Sequence, residues 1–290
     1  ASGHPKQAMY ATIATVAINT ILAPIFIFMF DWGIRGAAIA TVSAQVIALL
    51  WQLKQFNNAN ELLHFRRGIF RLKRKIVFDS LAIGMSPFLM NLAACLIVIL
   101  INQGLKKYGG DLAIGAFGIV NRLVFIVVMI VMGLNQGMQP IAGYNFGAKL
   151  YDRVNKVLKL TIIYATCVTT FGFLVGMLAP NLVVGIFTSD AELTELSATG
   201  LRITVMFFPI IGFQMVTSNF FQSIGMAGKA IFLSLTRQML ILLPCLLILP
   251  HFFGVAGVWY SMPVSDLLAS LIALVMLVYQ FRKFKTAAAH

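Results

Sequence analysis

The chain has 290 residues, 60% of them hydrophobic and 11% charged. A water-soluble domain of that length would carry about a quarter charged residues, so composition excludes an ordinary soluble enzyme or binding module. The formal charge of +13 would suit nucleic acid, but Lys and Arg cluster between apolar blocks, which is a topology signal and argues against a nucleic-acid partner.

The apolar blocks are each long enough to cross a bilayer. They predict spans over 8–30, 34–56, 76–104, 111–146, 157–180, 199–224, 228–250 and 254–281, hence an all-α polytopic membrane protein with eight transmembrane helices. The connectors alternate in charge. Lys6 precedes the first span, and Arg66, Arg67, Arg71, Lys73, Arg74 and Lys75 follow the second. Lys149, Arg153, Lys156 and Lys159 follow the fourth, Lys229 the sixth, and Arg282, Lys283 and Lys285 the eighth. The opposite connectors are poorer in basic residues, and one holds Asp190, Glu192 and Glu195. The positive-inside rule then places both termini in the cytoplasm. Leu62, Phe65, Ile69, Leu72 and Ile76, interleaved with basic residues, predict either a basic amphipathic helix on the inner surface or a solvated loop. Cys95, Cys167 and Cys245 lie inside apolar blocks and are expected to be reduced. There is no signal-peptide pattern and no initiator Met, and the chain is read as starting partway through a longer one.

An internal repeat emerges when residues 1–45 are laid over 223–266, at an offset of roughly 221. Pro24 falls near Pro244, and Gly33-Ile-Arg-Gly36 over Gly254-Val-Ala-Gly257. Spans seven and eight thus resemble spans one and two with four spans before them. The unit is six helices, the copies are parallel, and the first copy lacks its first four.

No constellation for catalysis is present. The histidines are scattered at connectors and termini, no carboxylates pair at helical spacing, and there is no Walker A loop, so neither an enzyme nor an ATP-driven pump is expected, and no cofactor or metal. What remains is polar residues at membrane depth. Gly133–Ala148 interrupts an apolar run with Asn135, Gln136, Gln139, Pro140 and Asn145. Asn19 precedes Pro24, Thr41 lies in span two, Asn91 in span three and Asn121 in span four. Span six holds Gln214, Asn219 and Gln222, span seven Arg237 and Gln238, and span eight Asp266 after Pro263. Taken singly, each amide or hydroxyl reads as glue between helices, worth about 0.6–2 kcal/mol. As a group with prolines, Asn19, Thr41, Asn91, Asn121, Gln136, Gln139, Asn145, Gln214, Asn219, Gln222 and Asp266 read as the lining of a wet substrate and ion path. Asp266 is the carboxylate set deepest in a span. It is either a proton or cation site or a structural partner of Arg237.

These residues also carry a family resemblance. Gly3-His-Pro-Lys6, Asn19-Thr-Ile-Leu-Ala-Pro24 and Gly33-Ile-Arg-Gly-Ala-Ala-Ile-Ala-Thr41 form its first part. Gln139-Pro-Ile-Ala-Gly-Tyr-Asn-Phe-Gly-Ala148, Phe220-Phe-Gln-Ser-Ile-Gly225 and Gly257-Val-Trp-Tyr-Ser-Met-Pro-Val-Ser-Asp266 continue it nearly end to end. In order and spacing the chain resembles the C-terminal two-thirds, helices five to twelve, of a bacterial multidrug and toxic compound extrusion (MATE) transporter. The resemblance implies two six-helix lobes. Residues 1–56 would be the last two helices of the first lobe, 57–75 the cytoplasmic connector and 76–290 the second lobe. It implies a monomeric antiporter in the bacterial inner membrane that expels organic, often cationic, small molecules in exchange for Na⁺ or H⁺. Two departures bear on coupling. Ala23 stands where many relatives have an Asp, and the C-lobe cation site of Na⁺-coupled relatives falls near Met90-Asn91 and Phe213-Gln214. A coupling acid would then be Asp266 or lie upstream. Two alternatives stay open: a lipid-linked saccharide flippase, which needs Arg122, Arg202 and Arg237 in one cationic cavity, and a fragment that transports nothing alone.

Overall fold

The computed structural model describes residues 5–57 and 73–288. The basic stretch expected to lie on the membrane surface falls outside the described residues, apart from its last part, which opens a helix at Arg74. The chain divides into two compact units, Ala1–Asp79 and Ser80–His290.

In the first unit, α1 (Pro5–Pro24) ends at a proline. Pro24 has no N–H for the carbonyl one turn back, and the chain widens into a π-helical turn over Ile25–Met29. Asp31 (φ 54°) and Gly33 (φ 50°), both left-handed, then reverse the chain into α2 (Gly33–Phe56). Phe26, Phe30 and Trp32 cluster at this turn, with ring centroids 5.4–5.9 Å apart.

The second unit starts within α3 (Arg74–Gly147), whose apolar stretch Phe88–Gly147 is 60 residues long. That is about three times what one crossing needs. Gly110 breaks it with a backbone that only glycine adopts readily (φ 68°, ψ −163°), so its two arms are separate spans. The expected interruption between the third and fourth spans is this glycine. α4 (Tyr151–Leu178) follows, then a short α5 (Pro180–Val184). α6 (Ala191–Val205) is capped by Asp190, whose carboxylate accepts from Leu193 N at 3.0 Å. α7 (Phe208–Ser223) leaves α6 at 55°, with Pro209 in its first turn, and the two together are long and apolar enough for one bent span. α8 (Ala227–Leu235) runs through a π-helical segment, Thr236–Leu242, into α9 (Leu243–Phe253). Gly254 turns the chain into α10 (Val255–Ala288). Counted with the divided α3 and the bent pair, the helices long and apolar enough to cross a membrane match the eight expected spans in order.

Two apolar clusters hold the second unit. One gathers Leu105, Phe117, Phe208 and Trp259 from α3, α7 and α10. The other gathers Met138, Leu158, Phe220 and Phe221 from α3, α4 and α7. Since lipid is as apolar as these side chains, close backbone approach carries much of the packing. A Cβ on Gly212 of α7 would stand 2.9 Å from the Ala165 carbonyl oxygen of α4.

The repeat has a geometric counterpart. Gly33 and Gly254 share a left-handed φ, 50° and 56°. Three residues on, a Cβ at Gly36 would meet Phe26 O at 2.5 Å, and one at Gly257 would meet Leu249 O at 2.3 Å. Each copy thus seats a glycine against a carbonyl of the preceding helix.

Candidate functional site

The polar triplet Thr236-Arg237-Gln238 interrupts an otherwise apolar helix, and the helix changes register there. Pro244 cannot donate to the Leu240 carbonyl, and Leu243 N donates five residues back, to Gln238 O. The extra residue in the turn puts Arg237 and Gln238 together on the wall of one cavity. From α10, Asp266 reaches the same cavity one turn beyond Pro263.

Arg237 Nε donates to Asp266 Oδ1 at 2.7 Å. Asp266 is 5% exposed and the arginine side chain 33%. A lone carboxylate at this depth would cost several kcal/mol, and the guanidinium supplies its counter-charge. The backbone beside Asp266 is also engaged, since Ser270 Oγ donates to its carbonyl at 2.6 Å.

The cavity has a volume of about 250 Å³. Its walls are largely apolar, with Ile97 and Phe117 from the two arms of α3, Phe208 and Met215 from α7, and Met262 from α10. Asn121, Thr204, Gln238 and Ser265 add polar edges. Gln238 Oε1 is buried and accepts no hydrogen bond from a described residue. An apolar recess with an ion pair and an idle acceptor suits an amphipathic guest carrying donors.

Of the residues expected to line a path, Asn121 and Asp266 stand at this cavity. The others in this unit do not line it. Asn91 and Gln136 are exposed, and Gln139 is half-buried. Asn145 is buried, and its Nδ2 donates to Ile141 O at 2.8 Å along its own helix. Gln214 is buried on α7 beside the lining Met215. Asn219 Nδ2 donates to Met215 O at 3.0 Å, and Gln222 is exposed at the end of α7. In the first unit Asn19 Nδ2 donates to Thr41 Oγ1 at 3.1 Å and joins α1 to α2. The repeat gives this bridge a parallel, for Arg237–Asp266 joins the corresponding helices of the second copy. Asp266 is thus paired with Arg237 and at the same time stands at the cavity wall. Thr204 and Ser265 lie outside the polar set read from the sequence, whereas Gln238 belongs to it. The polar triplet before Pro244 was the signal for Gln238. Asn135, from the same polar stretch as Gln136 and Gln139, is 2% exposed, and neither amide atom has a hydrogen-bond partner among the described residues.

The sequence pattern of the MatE family matches residues 82–247. The chain is 29% identical over 286 residues to the multidrug export protein MepA of Staphylococcus aureus (strain MSSA476), covering 97% of this chain and 62% of that protein. To MepA of Staphylococcus haemolyticus (strain JCSC1435) it is 28% identical with the same coverage. It thus spans about six-tenths of the length of the curated relatives it matches. Among solved structures, it is similar to an outward-facing multidrug resistance MATE family transporter of the MOP superfamily, with a TM-score of 0.86 and 22% identity. That match covers 97% of this chain and 63% of the other. A MOP superfamily transporter from Pyrococcus furiosus also gives a TM-score of 0.86 at 22% identity, covering 96% and 63%. At that identity these two likenesses establish the fold.

Proposed function

The chain belongs to the MatE family and is a multi-pass membrane protein of that fold, and from that premise we propose that it forms part of a secondary-active exporter of organic, often cationic, small molecules. The exchange ion is Na⁺ or H⁺, the membrane is the bacterial cytoplasmic one, and both termini face the cytoplasm. The observation that carries this reading is the cavity of about 250 Å³, apolar but for the Arg237–Asp266 pair and a few polar edges. Met215 and Met262 give it walls that adapt to guests of different shape. The name of the MepA relatives supports the same direction. Residues 1–56 and 76–290 would belong to two lobes, joined by 57–75. The protein would act as a monomer without a catalytic step.

The flippase reading requires a cationic chamber. Within the second unit Arg237 is neutralised by Asp266, while Arg122 and Arg202 are exposed and do not line its cavity. Export is therefore the better fit. To test it, the full-length parent is expressed in an efflux-deficient bacterial host and ethidium accumulation is followed with the ion gradients intact and then collapsed. Export predicts lower accumulation than the empty vector while the gradient stands. Equal accumulation in both hosts counts against it.

A further inference from the structure

A second recess lies away from the ion pair, where α4 begins and α10 approaches its end, with a volume of about 690 Å³. Asp152, Lys156, Lys159, Leu160 and Ile163 follow one another on α4 at steps of three, four and one, so they form a single stripe. The stripe changes from charged to apolar over about 16 Å of helix at 1.5 Å per residue. Leu160 and Ile163 are largely exposed. Phe281 of α10 forms the facing wall. That wall is anchored, because the buried Gln280 accepts from Lys229, whose ammonium also sits 5.3 Å from the Phe221 ring centroid. Asp152 stands in the first turn of α4, where the helix dipole favours an acid. Neither lysine is ion-paired with a described residue. Asn155 also lines the recess, and its buried Oδ1 has no donor among the described residues.

We infer that this recess is a binding site for an anionic phosphoglycerol lipid. The arrangement asks for a ligand with an anion for Lys156 and Lys159, a hydroxyl donor for the idle Asn155 oxygen, and a hydrocarbon chain for Leu160, Ile163 and Phe281. A phosphatidylglycerol has those parts in that order along its length. The neighbouring sequence agrees, since Lys149 and Arg153 lie on the same segment as the two lysines. The one acid in the recess leaves a positive surplus that a zwitterionic lipid would not neutralise.

The test is native mass spectrometry of the full-length parent protein, released from micelles holding equal amounts of phosphatidylglycerol, phosphatidylethanolamine and phosphatidylcholine. Phosphatidylglycerol is expected to be the lipid retained. Lys156→Gln and Lys159→Gln, both at exposed positions, should each lower its retention about fivefold and leave the other two lipids unchanged. Lys156→Arg with Lys159→Arg should keep the preference, and Lys106→Gln with Lys107→Gln, which removes two charges elsewhere, should not alter it. Three results overturn the assignment. Phosphatidylethanolamine is retained instead, or the preference survives loss of both lysines, or the Lys106 and Lys107 control loses it equally.

Discussion

Gly200 and Trp259 stand closer than any side chain at position 200 would allow. A Cβ built on Gly200 would lie 2.6 Å from the edge of the indole, so α10 rests its largest ring directly on the backbone of α6. Phe117 flanks the same indole at 5.9 Å between centroids. Gly200→Ala must push this ring out of the apolar cluster and is expected to destabilise by about 1–3 kcal/mol. Gly118, on the helix that carries Phe117, has open space where its Cβ would stand. Gly118→Ala should therefore be neutral or stabilise by up to about 1 kcal/mol. Thermal unfolding of both variants in detergent checks the contrast, and similar losses would disprove the contact.

The ion pair makes a sharper statement. Asp266→Asn removes the acid and leaves a guanidinium beside a mostly apolar cavity, at a cost of about 3 kcal/mol, near the low end for a broken buried pair because Arg237 is one-third exposed. Replacing both partners, Arg237→Met with Asp266→Leu, should recover most of that stability. If the pair is structural, the double variant also recovers ethidium export from cells carrying the full-length parent. Restored folding without restored export would instead return Asp266 to the ion path.

Asn135 offers a prediction of opposite sign. Both its amide atoms are buried, without a partner among the described residues, beside Val131, Met138 and Ala142, which share its helix face. An unmade hydrogen bond of this kind costs about 1–3 kcal/mol. Asn135→Leu should therefore raise the melting temperature. A fall would mean that the amide meets a partner in another state of the protein.

The spans were legible because twenty-residue apolar blocks separated by basic connectors have few other physical meanings. The break at Gly110 was legible too, as the gap between the apolar blocks 76–104 and 111–146. The Arg237–Asp266 contact could be read because opposite charges in neighbouring spans have few other ways to be satisfied. The phase of the amides could not. Asn135 is buried and Gln136, one residue on, is exposed. A step of about 100° separates them, and in a membrane protein the lipid-facing and core-facing sides of a helix are equally apolar. Hydrophobic pattern therefore could not choose which amide looks inward. The π-helical turns were equally hidden, for Pro244 marks a defect in the helix without saying how the register recovers.

The repeat can be tested by one pair of substitutions. Gly36 and Gly257 each face a carbonyl oxygen of the preceding helix, at 2.5 and 2.3 Å from where a Cβ would stand. Backbone cannot give way as a flexible side chain does. Gly36→Ala and Gly257→Ala are both expected to open their helical hairpins and to lower the yield of folded protein, as measured by size-exclusion chromatography. Damage by one and indifference to the other would break the equivalence of the two turns.

Pro244 gives the site its shape, which makes it the most direct handle on how the cavity is built. Pro244→Ala returns a donor to the Leu240 carbonyl and allows the segment Thr236–Leu242 to revert to α-helical register. One residue of register turns Arg237 by about 100° away from Asp266. The consequence is non-additivity. In the Pro244→Ala background Asp266→Asn should cost about 1–3 kcal/mol less than it does in the parent, because the pair it breaks has already parted. A thermodynamic cycle over the four proteins, read by chemical or thermal unfolding, measures that coupling. Full additivity would mean that the wide turn survives without its proline and that the arginine is held in place by something else.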